Sequence, residues 1–324
     1  MAKPPLLVTR HFPEAIEARA ARDYAAALNP TDELWSGDAA EIIRRATAIS
    51  AQGILCAAGD RLDAACIAGL PPSVKLLSTF SVGTDHIDLE AARARGIQVA
   101  NTPDVLSFAT AEIAFTLLLM AARRAGEAER MVRAGQWRGW SPTQLIGVTL
   151  EGKKLGILGL GRIGREMAGM ARGFRMEVHY HGRRRLPPEL EQGAIWHDSE
   201  DSFLAAIDAL SMHIPGDAGN RHWLNAARLA RLKPGAIVVN TGRGSTVEDA
   251  ALIAALRSGQ VRAAGLDVYD GEPMINPGYF ALENVVMLPH LGSAAAETRD
   301  AMGHRALDNL DAVLLRGEAP PFPV

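Results

Sequence analysis

The segment that most restricts the fold is Lys153–Gly164, where a short apolar run ends in three glycines spaced as G-x-G-x-x-G. The run before the glycines predicts a strand, and the residues after them predict a helix. In dinucleotide-binding units the first glycine permits a tight turn, the second admits a pyrophosphate, and the third lets the helix pack on the strand. The helix N-terminus then offers free N–H groups to the phosphates. We therefore predict dinucleotide contacts from Gly159, Leu160, Gly161, Arg162, Ile163 and Gly164.

Length and charge limit the class of protein. The 324 residues exceed one typical domain core, and the 48% hydrophobic content is enough to bury two. A net charge of −3 provides no broad basic surface, so we expect neither nucleic acid nor a membrane as a partner. The longest apolar stretch, Ile113–Ala122, is about half of what spans a bilayer, so a buried helix is the better interpretation.

The cysteines and histidines give no sign of a metal site. Cys56 and Cys66 are too far apart for a C-x-x-C motif, and the N-terminus lacks an apolar signal core. We therefore expect ordinary buried thiols in a reducing cytoplasm. His179 and His181 share one face of a predicted strand, but without a third ligand we predict that no metal binds.

Short apolar runs alternate with alanine-rich, charged segments, which is typical of parallel sheets covered by helices. Before residue 101 we predict strands at 6–9, 53–58, 74–80 and 97–100, with helical segments such as 15–28 and 60–69. The later series predicts strands at Leu155–Leu158, Glu177–His181, Ala194–His197, Ala209–Ile214, Ile237–Asn240, Ala264–Val268 and Val285–Leu288. Long helices are predicted at 107–124 and 294–316. The chain is thus predicted to be an α/β protein with two doubly wound parallel-sheet domains.

The second strand of the later series indicates which dinucleotide binds. A domain specific for NAD usually has an acidic residue about 20 positions after the glycines, where it binds the ribose hydroxyls. This chain instead has Arg183, Arg184 and Arg185 after the strand that ends at His181. Guanidinium groups pair with a 2′-phosphate and stack on adenine. We therefore predict NADPH, with NADH a weaker cofactor, bound through Arg183 and Arg184; the alternative is a solvated basic turn.

Three strand ends of the later series carry ionisable residues, namely Arg243, Glu272 and His290. Ligands of doubly wound sheets bind beyond the carboxyl ends of the strands. Each residue alone has a plain explanation, as a surface phosphate contact, a loop carboxylate or a core histidine. Together, at one edge of one sheet, they supply what the reduction of a 2-keto acid needs.

Four motifs, in order, resemble those of the D-isomer-specific 2-hydroxyacid dehydrogenases, and the resemblance covers essentially the whole chain. They are Gly-Leu-Gly-Arg-Ile-Gly at 159–164, Asn-Thr-Gly-Arg-Gly at 240–244, Ala-Gly-Leu-Asp-Val-Tyr-x-x-Glu-Pro at 264–273 and Pro-His-Leu-Gly-Ser at 289–293. The Gly-Arg-Arg strand end and the Gln136–Trp140 arm most resemble the glyoxylate/hydroxypyruvate reductases of that family. This resemblance implies NADPH-dependent reduction of glyoxylate and hydroxypyruvate to glycolate and D-glycerate. The alternatives are a pyruvate-like or bulkier keto acid, or a nucleotide-sensing protein similar to related corepressors.

The resemblance implies a role for each of the three ionisable residues. Arg243 would hold the substrate carboxylate and polarise the keto oxygen. His290, as imidazolium, would protonate that oxygen while hydride arrives from the nicotinamide. Glu272 would hydrogen-bond the other ring nitrogen and raise the pKa of His290 above its reference value of about 6.5.

Further contacts follow from the same resemblance. The turn at Ser81–His86 is, on its residues alone, equally an ordinary strand-to-helix connection. The family resemblance implies that the N–H groups of Val82 and Gly83 bind the substrate carboxylate. It also implies that Ser293 lines the substrate site and that the cofactor is lined by Thr110, Ile214, Pro215, Thr241, Gly242 and Asp267. Gly242 departs from the family pattern, because relatives often carry alanine or serine there.

The resemblance also implies how the domains and subunits are organised. Residues 1–100 and 290–324 would form a flavodoxin-like substrate domain, and residues 101–289 a Rossmann dinucleotide-binding domain. An irregular segment with two tryptophans, which ends near Trp140, packs either on a partner subunit or on its own domain. By resemblance, we expect a homodimer with residues 107–142 at the interface and Trp140 reaching the neighbouring active site.

Overall fold

A computed structural model of the protein describes residues 2–31 and 39–324. The chain divides into two compact units. Unit 1 contains Met1–Leu106 and Ala294–Val324, and unit 2 contains Ser107–Ser293. Both are α/β units built on a parallel sheet.

The divisions fall at 106/107 and 293/294, rather than at the predicted 100/101 and 289/290. Asn101 accounts for the first difference, because its N–H donates to the carbonyl of Phe322 at 3.1 Å and its own carbonyl accepts from Asn309 at 3.1 Å. These bonds keep the stretch after residue 100 in unit 1. The second difference arises because the residues that follow His290 hydrogen-bond to Asp267, which belongs to unit 2.

Unit 1 has a five-stranded parallel sheet in the order β2-β1-β3-β4-β5, the flavodoxin-like order. Its strands are β1 (Pro5–Val8), β2 (Ala25–Ala27), β3 (Gly53–Cys56), β4 (Leu76–Thr79) and β5 (Gln98–Ala100). Its helices are α1 (Glu14–Asp23), α2 (Ala39–Ala48), α3 (Ala64–Gly69), α4 (Leu89–Ala94) and α12 (Ala296–Leu310), the last continued by a π-helical segment at Asp311–Arg316. Helix α12 packs so closely on α1 that a Cβ added to Gly303 would lie 2.4 Å from Cγ1 of Ile16.

Strand β2 lies inside the segment 15–28, for which the sequence predicts a helix. The prediction is wrong for its last residues, because α1 ends at Asp23 and the next residue, Tyr24, is buried. Alanine favours helix, but the pairing of Ala26 with Leu6 of β1 adds this segment to the sheet edge. Tertiary pairing here overrides local propensity.

Unit 2 has a seven-stranded parallel sheet in the order β12-β11-β10-β9-β6-β7-β8, which is the Rossmann order with one added strand. Its strands are β6 (Lys154–Leu158), β7 (Glu177–His181), β8 (Ile195–Trp196), β9 (Ala209–Met212), β10 (Ala236–Asn240), β11 (Val261–Leu266) and β12 (Val285–Met287). Its α-helices are α5 (Ser107–Ala122), α6 (Ala125–Arg133), α7 (Arg162–Gly173), α8 (Pro188–Glu191), α9 (Glu200–Ala206), α10 (Ala226–Leu229) and α11 (Asp249–Ser258). Short 3-10 turns occur at Ala218–Asn220, Gly244–Thr246 and Pro277–Tyr279.

Helix α5 is apolar around most of its circumference because it is buried against the sheet of unit 2. Gly265 of β11 permits this packing, since an added Cβ would lie 2.7 Å from Cβ of Leu117. Within residues 2–31 and 39–324, no helix combines the length and apolarity needed to cross a membrane.

Candidate active site

The glycine turn between β6 and α7 has the geometry of a pyrophosphate site. Gly159 has φ of +90°, in the left-handed region that favours glycine, and an added Cβ would lie 3.0 Å from the carbonyl oxygen of His213. Gly164 packs against the turn, because its added Cβ would lie 2.4 Å from the oxygen of Gly159. Gly161, by contrast, has no heavy atom within 4 Å of an added Cβ. The space over Gly161 and the N-terminus of α7 therefore fits a dinucleotide phosphate.

The other predicted residues of this turn differ in exposure. Leu160 is buried, and Ile163 is partly buried against the core of unit 2. Arg162 is exposed at the first position of α7.

The arginines after β7 are not equivalent. All three side chains are exposed, but Arg185, at 65% exposure, pairs with Glu191, with Nε 2.9 Å from Oε1. Neither Arg183 nor Arg184 forms an ion pair with any residue that the structure describes. Two guanidinium groups are thus available for an anionic ligand at the end of β7, rather than the three that the sequence offers.

The loop that carries Arg243 follows β10 and is held by side-chain bonds to its own backbone. Asn240 donates from Nδ2 to the carbonyl of Arg243 at 2.9 Å and accepts the N–H of Gly242 at 3.0 Å. Thr246 donates from Oγ1 to the same carbonyl of Arg243 at 2.7 Å. The guanidinium of Arg243 is half-buried, and its Nη1 donates to the carbonyl of Gly242 at 2.8 Å.

A direct backbone contact joins the Arg243 loop to the loop after β11. A Cβ added to Gly244 would lie 1.8 Å from the carbonyl carbon of Tyr269, so only glycine fits at this position. The loop that contains Tyr269 also carries Glu272, whose Oε1 accepts the N–H of Tyr269 at 2.8 Å. The contact therefore fixes the position of the Arg243 loop relative to the loop that carries Glu272.

Glu272 and His290 form a hydrogen-bonded pair, with Oε2 of Glu272 2.8 Å from Nδ1 of His290. The hydrogen bond to Glu272 raises the pKa of His290 above its ordinary value, although burial opposes it. Burial favours the neutral form of Glu272, but the bonds from His290 and the N–H of Tyr269 hold its pKa below the usual range. The pair is therefore a carboxylate and a histidine whose protonated form is stabilised. His290 remains 48% exposed, so its other ring nitrogen can reach a ligand.

Asp267 holds the backbone on which His290 stands. Its Oδ1 accepts the N–H of Leu291 at 2.7 Å, its Oδ2 accepts the N–H of Gly292 at 2.8 Å, and its carbonyl accepts the N–H of His290 at 2.9 Å. Burial raises the pKa of Asp267 above its usual range. These bonds hold His290 in its left-handed backbone conformation, with φ of +58°. Through these bonds the side chain of Asp267 holds the backbone of the loop that carries His290.

The remaining predicted residues of unit 2 lie near this edge of the sheet or on the arm. Thr110 lies beside Gly292, since an added Cβ there would lie 3.3 Å from Cγ2 of Thr110. Thr241 is buried, and its hydroxyl has no hydrogen-bond partner among the described residues. Ile214 and Ser293 are half-buried, and Pro215 is exposed. Trp140 is 82% exposed.

Gly242, where relatives often carry alanine or serine, lies in a narrow space. An added Cβ would lie 3.1 Å from the carbonyl oxygen of Ile214 and 3.3 Å from that of Met212. A larger residue would need these backbone groups to shift by a few tenths of an ångström.

Val82 and Gly83 belong to unit 1, on the loop after β4. Ser81 donates from Oγ to the carbonyl of Gly83 at 2.7 Å, and Asn101 donates from Nδ2 to the carbonyl of Val82 at 2.8 Å. The two carbonyls are thus engaged within unit 1.

The sequence interpretation gave no role to Asn240 and did not assign Asp267 to the His290 loop. The signal for Asn240 was an asparagine at the last position of a strand and before a glycine-containing turn, since such residues hydrogen-bond the backbone of the turn. Nothing in the sequence shows that the Asp267 side chain accepts from residues 291 and 292.

Both histidines of β7 are hydrogen-bonded, and Nδ1 of His181 lies 2.8 Å from the carbonyl oxygen of His197. His179 has Nε2 2.6 Å from Oε1 of Glu177 and Nδ1 2.7 Å from Nε2 of His197. Over residues 2–31 and 39–324, no group of three or more His, Cys, Asp or Glu residues is placed to hold a metal ion.

A glycine turn that fits a dinucleotide phosphate and a hydrogen-bonded carboxylate–histidine pair both follow strands of one Rossmann sheet, at the edge where ligands of such sheets bind. Residues 115–292 match the sequence profile of the D-isomer specific 2-hydroxyacid dehydrogenase, NAD binding domain. The chain belongs to this family, whose members use a nicotinamide cofactor.

Named relatives agree with this placement. The chain is 42% identical over 315 residues to the glycerate dehydrogenase of Hyphomicrobium methylovorum, with 97% of each chain covered. It is 39% identical over 328 residues to the glyoxylate reductase of Thermococcus litoralis, covering 98% of this chain and 96% of the relative. The structure of an NADPH-dependent glyoxylate/hydroxypyruvate reductase from Sinorhizobium meliloti, in complex with NADP and malonate, superimposes with a TM-score of 0.88 at 34% identity, covering 100% of this chain and 97% of that one.

Proposed function

We propose that the protein reduces glyoxylate and hydroxypyruvate to glycolate and D-glycerate and prefers NADPH as reductant. The observation that carries the proposal is the 2.8 Å hydrogen bond between Glu272 and His290, on loops that also position Arg243. The names of the relatives, glycerate dehydrogenase and glyoxylate reductase, support small hydroxy and keto acids as substrates.

Each residue has one task in the proposed reaction. Arg243 binds the substrate carboxylate with its planar guanidinium and polarises the neighbouring keto oxygen. The nicotinamide, when bound, supplies hydride to the keto carbon. Because Glu272 occupies Nδ1 of His290, the Nε2 proton of the imidazolium is the one that passes to the keto oxygen. In the reverse direction Nε2 accepts the proton of the hydroxyl group.

For the substrate we also propose contacts from the N–H groups of Val82 and Gly83 and from Ser293. For the cofactor we propose the glycine turn, the residues Thr110, Ile214, Pro215, Thr241, Gly242 and Asp267, and the guanidinium groups of Arg183 and Arg184. The exposed Trp137 and Trp140, at 55% and 82% exposure, support a homodimer through residues 107–142. Two buried free thiols support a reducing, cytoplasmic environment.

The proposed function is tested by initial rates of NADPH and NADH oxidation with glyoxylate, hydroxypyruvate, pyruvate and phenylpyruvate. We expect the highest kcat/KM with NADPH as reductant and glyoxylate or hydroxypyruvate as substrate. Faster turnover of pyruvate or phenylpyruvate would reassign the substrate. Slow turnover of all four acids, despite tight NADPH binding, would favour an untested substrate or the nucleotide-sensing alternative.

Replacing Arg183 with alanine is expected to raise the KM for NADPH about 10- to 150-fold, because one charge-assisted hydrogen bond contributes about 1.5–3 kcal/mol. The KM for NADH should change far less, since NADH has no 2′-phosphate. The measurement is the ratio of kcat/KM for the two cofactors at constant ionic strength. Arg257→Ala, which removes an exposed arginine of α11, is the matched control. Equal effects on both cofactors would contradict the proposed cofactor preference.

Replacing Glu272 with glutamine is expected to shift the pH profile of reduction toward acid. Glu272 raises the pKa of His290, so its neutral replacement lowers that pKa. Reduction needs the imidazolium, and kcat/KM for the keto acid should therefore begin to fall at a lower pH than in the unchanged enzyme. Asp270→Asn is the control, because Asp270 lies in the same loop but pairs with Arg221 at 3.0 Å. An unchanged profile in Glu272→Gln would remove Glu272 from the proton-transfer step.

A further inference from the structure

The short helix α8 ends in a buried carboxylate that faces the loop after β7. Glu191 is 6% exposed, and its Oε1 and Oε2 accept from Nε and Nη2 of Arg185 at 2.9 and 3.3 Å. Its backbone carbonyl accepts from Nη2 of Arg172 at 3.1 Å. The hydrogen bond from Arg185, together with that from Tyr180, holds the pKa of Glu191 below its usual range. The carboxylate is therefore charged and fully engaged.

Tyr180 of β7 links the same carboxylate to the strand and to the loop. Its side chain is 1% exposed, and its hydroxyl donates to Oε1 of Glu191. The same hydroxyl accepts the N–H of Leu186 at 3.0 Å. One carboxylate and one hydroxyl thus tie together strand β7, the loop at 182–186 and helix α8.

We propose that Tyr180, Arg185 and Glu191 form a clamp that presents Arg183 and Arg184 to the 2′-phosphate of NADPH, and that the clamp determines cofactor preference without touching the cofactor. The inference rests on the proposed use of NADPH through these two arginines. Arg185 is then a positioning residue, although the sequence makes it look like a third phosphate ligand.

The clamp is specific for the phosphorylated cofactor because Arg183 and Arg184 are long side chains on an exposed loop, and ordering them on binding costs less when the loop backbone is already held. NADH lacks the 2′-phosphate that these arginines bind.

Glu191→Gln distinguishes the clamp from direct phosphate binding by Arg185, because the two models predict opposite changes in the KM for NADPH. If Arg185 binds the phosphate directly, releasing it from the carboxylate should lower the KM for NADPH. If the clamp operates, the loosened loop should raise the KM for NADPH about 5- to 30-fold, within the range expected for ordering two side chains. In either model the KM for NADH should stay nearly unchanged.

Tyr180→Phe tests the clamp without changing any charge. It removes the bonds to Glu191 and to the N–H of Leu186 and leaves the ring in place. We expect a smaller rise in the KM for NADPH, by about 3- to 10-fold, and again no comparable change for NADH. Glu189→Gln is the matched control, because Glu189 lies exposed on the same short helix and makes the same change of charge outside the clamp.

The experiment measures kcat/KM for NADPH and NADH in Glu191→Gln, Tyr180→Phe, Glu189→Gln and Arg183→Ala, with thermal unfolding of each variant. The clamp predicts that Glu191→Gln has a smaller effect on the KM for NADPH in the Arg183→Ala background than in the unchanged protein, because only Arg184 then remains to be presented. A lowered KM for NADPH in Glu191→Gln, or equal changes for both cofactors, overturns the clamp. If Arg183→Ala loses its selectivity for NADPH over NADH but Glu191→Gln and Tyr180→Phe keep theirs, the cofactor assignment stands and the clamp is refuted. No loss of selectivity in Arg183→Ala refutes the cofactor assignment itself.

Discussion

Replacing His290 with asparagine is expected to lower kcat for keto acid reduction by about 10²- to 10⁴-fold, the usual contribution of a general acid. Asparagine is preferable to alanine because His290 has φ of +58°, a conformation that asparagine tolerates. The substitution therefore removes the proton donor and leaves the backbone of the loop unstrained. Bonds from Asp267 to the following N–H groups should hold the loop as before.

Cofactor binding distinguishes the loss of the proton donor in His290→Asn from a general loss of structure. NADPH binding, followed by the fluorescence of the reduced nicotinamide, should remain within a few fold of the unchanged protein. His11→Ala, a substitution of an exposed histidine in unit 1, should leave kcat unchanged. If His290→Asn retained most of its activity with normal pH dependence, His290 would not be the proton donor.

Replacing Arg243 with lysine is expected to lower kcat/KM for glyoxylate about 10- to 150-fold. Lysine keeps the positive charge but loses the planar pair of donors that a carboxylate accepts, and a charge-assisted hydrogen bond contributes about 1.5–3 kcal/mol. The loop itself should survive, because it is held by the bonds of Asn240 and Thr246 to the backbone at Arg243. These bonds do not involve the guanidinium.

A substrate without a carboxylate provides the decisive comparison for Arg243. Glycolaldehyde has the aldehyde of glyoxylate but no carboxylate, so kcat/KM for it should fall far less in Arg243→Lys. Arg257→Lys, on the exposed side of α11, controls for the general effect of the substitution. A similar fall for glyoxylate and glycolaldehyde would show that Arg243 does not bind the carboxylate.

The fold was predictable where hydrophobic periodicity and glycine spacing agree. All seven strands of the unit 2 sheet lie where apolar runs predict them, with ends that differ by a few residues, as for β11, which begins at Val261 rather than Ala264. Strand β2 was missed because three alanines carry no strand signal, and only the pairing with β1 makes them a strand. A sequence pattern indicates the local propensity of a segment, whereas the formation of an edge strand depends on pairing with the neighbouring strand.

The candidate site was predictable as a set of residues but not as a set of contacts. The rule that ligands bind at the carboxyl ends of parallel strands brings Arg243, Glu272 and His290 to one edge. The sequence does not reveal that Gly244 touches the backbone of Tyr269, because that contact depends on how two loops pack. Nor does it distinguish Arg185 from the two arginines before it, since the distinction depends on a carboxylate in the next helix.

The contact between Gly244 and Tyr269 and the bonds of Asp267 lie entirely within unit 2. The contacts that position Arg243, Glu272 and His290 therefore come from a single compact unit. The residues proposed for proton transfer can accordingly be inherited together, as one set held by one stretch of chain.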